Sequence, residues 1–174
     1  SSAASDVYKR QLTVHPSVKK HIIVLLISVC LPNSLIPLLK YYHNKVYRMM
    51  KIMFVCHGNI CRSPIAEFIL KDLVEKQGKS NAFVIASSAT STEEIWNGIG
   101  NPVYPPAKAE LAKHGLTCEG KRAVQLKKSD YDKYDYFIGM DSANIRNMNR
   151  IFGGDPENKI SKLMDYTCLL YTSD

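Results

Sequence analysis

Phe54-Val55-Cys56-His57-Gly58-Asn59-Ile60-Cys61-Arg62-Ser63-Pro64-Ile65-Ala66-Glu67 is the stretch on which the reading of this chain turns. Lys51 to Val55 is a short apolar run of strand length, and a glycine-containing loop follows it. Ser63-Pro64 then reads as a helix start, since proline is tolerated in a first turn whose N–H groups lack intrahelical partners. Ile65, Ala66, Phe68, Ile69, Leu70, Leu73 and Val74 fall on one helical face up to Lys76, and Gly78 stands where a helix stops. The unit is therefore strand, loop, helix. Cys56 lies at the strand end and Arg62 six positions later in the first helical turn.

That placement has chemical consequences. A loop between a strand and a helix N-terminus can turn its backbone N–H groups toward one point, and the helix dipole adds positive potential there. An arginine at the helix start can close such a cradle with two parallel hydrogen bonds to phosphate oxygens. The same field favours a thiolate, and cysteines at helix N-termini near a cation titrate as low as about 3.5–7.5. Cys56 is thus expected to be an ionised nucleophile. His57, Gly58, Asn59, Ile60, Cys61 and Arg62 are the expected phosphate-binding residues.

Working outward, strand and helix patterns alternate. Phe83 to Ala86 is a second predicted strand, Pro105-Pro106 opens a helix through His114 with Gly115 as its stop, and Tyr136 to Met140 is another strand. Ser142 to Ile151 reads as a helix and Ile160 to Met164 as the last strand. This order predicts an α/β fold of three layers, with a central parallel four-stranded sheet flanked by helices and ligands gathered at the carboxyl ends of the strands. Tyr131, Tyr134 and Tyr136 approach the third strand and are read as packing residues.

Composition agrees with one domain. A chain of 174 residues with 45% apolar content can bury a single ordinary core. The formal charge of +7 would ordinarily raise nucleic acid or anionic membrane as partners. Residues 1–49, however, hold seven lysines and arginines against Asp6, so the remainder is nearly balanced and nucleic-acid binding ranks last. Cys30, Cys56, Cys61, Cys118 and Cys168 form an odd set without paired metal-ligand spacing. No disulfide framework, metal or cofactor is expected, and a reducing cytoplasm fits best.

The character changes at Met49-Met50. The apolar run from Ile22 to Leu31 is too short for a bilayer span, so no membrane partner is expected. SSAASDVYKRQ at the start and CLLYTSD at the end resemble translated adaptor sequence. The expected organisation is a non-native or disordered extension over 1–48, a domain over 49–167 and a non-native tail over 168–174. A genuine membrane-targeting extension is the alternative for 1–48.

The segment from Phe54 to Glu67 closely resembles the signature of low-molecular-weight protein tyrosine phosphatases. The resemblance extends through Gly100-Asn101-Pro102-Val103-Tyr104-Pro105-Pro106-Ala107, Tyr134-Asp135-Tyr136, Gly139 to Asn144 and Leu163-Met164-Asp165-Tyr166-Thr167. It implies a phosphatase that hydrolyses a phosphotyrosine protein or small aryl phosphate through a phosphocysteine, with inorganic phosphate as product or inhibitor. By position, Cys56 matches the nucleophile and Arg62 the arginine that binds the phosphoryl group. Asn59 and Ser63 match the loop supports. Cys61 matches a redox partner able to form a reversible disulfide with the nucleophile.

The chain also departs from that pattern. His57 stands where many members have an apolar residue, and Lys121 where many have a histidine near the loop. Glu93, Glu94, Trp96 and Asn97 match a substrate-mouth loop only loosely. The family takes its general acid from an Asp-Pro pair after the LMDYT stretch, whereas the one Asp-Pro here is Asp155-Pro156, in a turn before the last predicted strand. The domain is thus expected to be incomplete at its C-terminus and to lack the acid. The alternatives are an arsenate reductase of the same fold, which would need resolving cysteines beyond the loop, and a phosphate-binding fragment with little turnover.

Overall fold

A computed structural model describes residues 49–166. The expectations for 1–48 and 167–174, including Cys30 and Cys168, lie outside the described residues. The principal elements are β1 (Met50–Cys56), α1 (Arg62–Lys76), β2 (Phe83–Ala89), β3 (Ile95–Trp96) and β4 (Ile99–Gly100). They continue with α2 (Pro105–Lys113), β5 (Tyr136–Gly139), α3 (Ser142–Phe152) and β6 (Ile160–Lys162).

β1 is buried from Ile52 to Cys56, which is why its sequence is a continuous apolar run rather than an alternating one. It occupies the interior of a parallel sheet of order β2-β1-β5-β6. From β1 the chain runs through α1 to β2 on one side, and β5 runs through α3 to β6 on the other. The sheet therefore changes winding direction between β1 and β5, and the crevice for a ligand opens at the carboxyl ends of those two strands. Cys56 ends β1, and Asp141 follows β5 by two residues.

The two sheet faces carry different cores. Met53, Val55 and Phe137 pack with Met148 and Phe152 of α3, together with Leu126 and Tyr131. On the other face α1 covers Cys56 and Ser87, whose side chains both reach its residues. α2 packs Ala107 and Leu111 against α1 through Ile65, Phe68 and Ile69, with Val103 and Cys118 in the same cluster.

Several boundaries move. β2 runs three residues past Ala86, because Ser87, Ser88 and Ala89 are buried and pair with Phe54, Val55 and Cys56. The last strand stops at Lys162, and Leu163–Tyr166 forms a short 3-10 turn in place of the predicted strand end. A hairpin, β3–β4, turns through Asn97 (φ 49) and Gly98 (φ 78), positions suited to asparagine and glycine. Of the three tyrosines, only Tyr136 lies in a strand; Tyr131 caps a 3-10 turn over Lys128–Asp130 and stacks with Phe137.

Asp155 organises the approach to β6. Its carboxylate accepts hydrogen bonds from the Tyr131 hydroxyl (2.6 Å), the Lys159 N–H (2.8 Å) and the Ile160 N–H (3.0 Å). Ile160 pairs with Phe137, which pairs with Met53. The start of β6 is thus level with a residue three positions before Cys56, about 10 Å down the strand direction. Asp155 precedes that level, beside the start of β6, whereas Cys56 stands at the carboxyl end of β1.

Gly100 allows the hairpin to approach the segment that follows α2, because a Cβ there would come within 1.9 Å of the Ala123 carbonyl oxygen. Gly100→Ala is expected to lower stability by about 1–3 kcal/mol, as overpacking at a backbone contact does. Urea unfolding of the two proteins measures this directly.

Candidate active site

Cys56 is buried at the end of β1 and faces the first turn of α1. Its Sγ accepts a hydrogen bond from the Asn59 N–H at 3.3 Å and lies 3.0 Å from the Ser63 Oγ. Asn59 adopts a left-handed conformation (φ 55), which asparagine tolerates better than most residues, and this bends the loop back over the sulfur. α1 starts without a side-chain hydrogen-bonded cap, so its orphan N–H groups remain available to an anion.

Asn59 is 1% exposed, and its side chain connects three segments. Its Oδ1 accepts from the Val124 N–H (3.0 Å), while Nδ2 donates to Ser63 Oγ (2.9 Å) and to Ser87 Oγ (2.8 Å). The Ser87 hydroxyl donates to Glu67 Oε2 at 2.5 Å. Glu67, 4% exposed, also pairs with Lys71 through Oε1 and with Lys121 through Oε2 at 2.9 Å. Burial would push the Glu67 carboxyl up, but hydrogen bonds from Lys71, Ser87 and Lys121 outweigh it and hold the group below the usual range.

Arg62 opens α1, and its Nη1 donates to Asp141 Oδ2 at 2.6 Å. Asp141 is the N-cap of α3, with Oδ1 accepting from the Asn144 N–H at 2.8 Å. Burial acts to raise its carboxyl, but the Arg62 and backbone hydrogen bonds prevail and lower it. Arg62 and Asp141 side chains are 48% and 41% exposed, so solvent reaches both partners.

The remaining predicted loop residues occupy the rim. His57 Nε2 lies 3.0 Å from Glu93 Oε2, and both side chains are exposed. The Cys56 and His57 carbonyls accept from the Thr90 and Ser91 N–H groups, each at 2.9 Å, tying the loop after β2 to the phosphate loop. A Cβ at Gly58 would meet Glu94 Cγ at 2.8 Å, so a side chain there requires Glu94 to shift. Ile60 accepts from the Tyr104 N–H through its carbonyl (2.8 Å). Cys61 is the N-cap residue of α1; burial and the neighbouring Cys56 raise its thiol pKa against the opposing pull of Arg62.

The structure thus brings together Cys56, Asn59 and Ser63 through hydrogen bonds, with Arg62 at the start of α1 paired to Asp141. It adds residues to which sequence reasoning gave no role: Glu67, Ser87, Val124 and Asp141. Asp141 had a readable signal, an Asp-Ser-Ala-Asn cap directly after a strand end. Ser87 and Val124 carried none, because their roles come from pairing with residues 28 and 65 positions away. Cys118 lies in the α2 cluster, 5% exposed, and burial raises its thiol pKa.

Residues 51–171 match the family described as low molecular weight phosphotyrosine protein phosphatase. The chain is 36% identical over 118 residues to the low molecular weight protein-tyrosine-phosphatase YfkJ of Bacillus subtilis, covering 68% of this chain and 73% of that protein. It is 44% identical over 99 residues to the low molecular weight phosphotyrosine protein phosphatase of Sus scrofa, covering 57% of this chain and 60% of that one. The crystal structure of YfkJ aligns with a TM-score of 0.64 at 35% identity, over 73% of this chain and 76% of that chain. The crystal structure of SP-PTP, a low molecular weight protein tyrosine phosphatase from Streptococcus pyogenes, aligns at 0.58 and 36% identity, over 66% and 71% respectively.

Asp141→Asn separates the two contacts of Asp141, because asparagine is as good an N-cap as aspartate but carries no charge for Arg62. Binding of vanadate is expected to strengthen about two- to fivefold, the scale of an exposed ion pair that no longer competes for Arg62, with little change in melting temperature. Vanadate titration and thermal unfolding of the variant check both halves.

Proposed function

The chain belongs to the low molecular weight phosphotyrosine protein phosphatase family, and from that premise we propose that it hydrolyses phosphotyrosine through a phosphocysteine intermediate on Cys56. The observation that carries this reading is the Cys56 sulfur, seated at the uncapped start of α1 and approached by the Asn59 N–H and the Ser63 hydroxyl. Sulfur attacks phosphorus as the bond to the tyrosyl oxygen breaks, and the leaving oxygen takes a proton. Water then cleaves the S–P bond and releases inorganic phosphate. Arg62 binds the phosphoryl oxygens, together with backbone N–H groups of residues 57–62, and stabilises the charge that develops on them.

The leaving-group proton is a separate requirement. Asp155-Pro156 is the one Asp-Pro pair in the sequence, and its carboxylate holds Tyr131, Lys159 and Ile160 at the far edge of the sheet. Asp155 is therefore read as a turn residue and not as the acid. Among the described residues no Asp-Pro carboxyl is positioned at Cys56, and without such an acid a very acidic phenol still leaves readily while tyrosine does not, because general acid catalysis contributes about 10²–10⁴-fold. The described residues by themselves support phosphate binding and turnover of activated aryl esters, and phosphotyrosine cleavage needs in addition an acid that they do not supply. Arsenate reduction is disfavoured, since the resolving thiol it would require beyond the loop is represented among the described residues by Cys118, which is buried in the α2 cluster.

Cys61 completes the proposed chemistry as redox partner of Cys56. Both thiols are unbridged in the structure. Peroxide treatment followed by mass analysis is expected to yield a Cys56–Cys61 disulfide; sulfonate at Cys56 beside an intact Cys61 thiol would remove the assignment.

Hydrolysis of p-nitrophenyl phosphate is expected to be abolished by Cys56→Ser and unchanged by Asp155→Asn in protein that still folds. Full hydrolysis of a phosphotyrosine peptide by the parent chain, lost in folded Asp155→Asn, would make Asp155 the acid and overturn its reading as a turn residue. Steady-state kinetics of the two variants decide between them.

A further inference from the structure

His57 and Glu93 form a pair at the edge of the crevice that the chemistry above leaves without a task. Residues 91–94 run along the phosphate loop: the Ser91 N–H bonds to the His57 carbonyl, and Glu94 Cγ lies where a side chain on Gly58 would point. Glu93 is fixed within that run by its own N–H, which donates to Ser91 Oγ at 3.2 Å. Its carboxylate is thereby held beside the residue that follows Cys56.

The pair does little for the fold. The two side chains are 52% and 70% exposed, and an ion pair in such surroundings adds little stability and exchanges partners readily. A carboxylate only accepts, so His57 Nε2 carries the hydrogen between them, and it can do so in the neutral imidazole as well as in the charged one. Glu93 therefore keeps a negative charge at the mouth that His57 need not cancel. We propose that Glu93 is a specificity-determining residue, selecting peptides that carry a lysine or arginine next to the phosphotyrosine, with His57 as the resident donor that such a side chain displaces. The proposal rests on the reading of the crevice at Cys56 as a phosphotyrosine site.

Neighbouring charges point the same way. Glu93 follows β2 and Asp141 follows β5, so the two carboxylates stand on either side of β1 and of Cys56. Arg62 is the cation paired with Asp141, and in the proposed chemistry the phosphoryl group takes it up. Asp141 then faces the crevice without that partner. Glu94 is engaged elsewhere, its Oε2 accepting from Asn101 Nδ2 at 2.7 Å, and Arg122 donates to the Gly100 carbonyl at 2.9 Å. A phosphopeptide whose phosphoryl group occupies Arg62 thus meets an acidic rim, which attracts a cationic flanking residue and repels an acidic one.

The test reads binding and needs no turnover. Cys56→Ser protein is titrated calorimetrically with three phosphotyrosine peptides that differ only in the two residues flanking the phosphotyrosine: both lysine, both alanine or both glutamate. The lysine peptide is expected to bind about two- to fivefold more tightly than the alanine peptide, the scale of one exposed ion pair, and the glutamate peptide more weakly than either. Adding Glu93→Gln should remove most of the difference, Glu93→Lys should invert the order, and salt should shrink the preference. His57→Ala, which removes the resident donor, should enlarge it. Equal binding of the three peptides, or a lysine preference unchanged in folded Glu93→Gln, would overturn the inference. Phenyl phosphate has no flanking residues and reports on the crevice itself. Protein that fails to bind it overturns the reading of the site and this inference with it, whereas protein that binds it and ignores the flanking residues overturns the role of Glu93 alone.

Discussion

The side-chain amide of Asn59 is the contact on which the site depends. It is buried in a loop that would otherwise have little reason to hold one shape, and it bonds simultaneously to α1, to β2 and to the segment around Val124. An unmet donor or acceptor in such a place costs about 1–3 kcal/mol, so the three partners stand or fall together. The Val124 segment is itself stitched to β2 by Ala89 N–H to the Val124 carbonyl and Leu126 N–H to the Ala89 carbonyl. It is held from the other side by the Ala123 N–H bond to the Asn101 carbonyl, against the surface of Gly100. The position of the phosphate loop is thus determined by packing more than forty residues downstream of it.

Much of the fold is legible because it is written locally. The apolar run before Cys56, the proline after Ser63 and the glycine at 115 each announce an element boundary through a property of one or two residues. Where reading failed, burial was decided by partners distant in sequence. Ser87 and Ser88 look like the end of a strand on composition, yet they continue β2 because β1 and α1 supply neighbours and, for Ser87, hydrogen bonds. The hairpin around Asn97-Gly98 carried the usual dipeptide signal, but each arm is only two residues long and offers no alternation to recognise.

The site divides along the same line. Cys56 through Ser63 is contiguous, so the cysteine, the arginine and the helix start could be read together from their place between an apolar strand and a proline-marked helix. Their supports could not. Glu67 sits one helical turn beyond Ser63 on a face otherwise occupied by apolar residues, and its burial becomes intelligible only once Ser87 and Lys121 are placed beside it. Asp141 is the intermediate case: its cap pattern is local, whereas its meeting with Arg62 depends on β5 lying beside β1. Asp155 shows the value of topology over motif. An Asp-Pro pair is suggestive as text, but parallel register puts this one at the end of the sheet where no strand delivers its carboxyl edge to Cys56.

Burial separates two kinds of ion pair in this molecule. Glu67 and Lys121 lie inside, hydrogen-bonded to neighbours that cannot rearrange without losing a partner, whereas the Arg62–Asp141 and His57–Glu93 pairs lie at the surface. An exposed pair is worth about 0–1 kcal/mol and exchanges partners readily. In the proposed chemistry Arg62 can therefore turn from Asp141 toward an incoming phosphoryl group at little cost, while Asp141 remains fixed by its bond to the Asn144 N–H. The group that must move is held weakly by one that does not, and the sulfur it serves is held by a network with no comparable freedom. That division follows from where each residue sits relative to the sheet: the interior partners come from α1 and from the segment after α2, behind the loop, and the exposed ones come from segments that reach the mouth of the crevice.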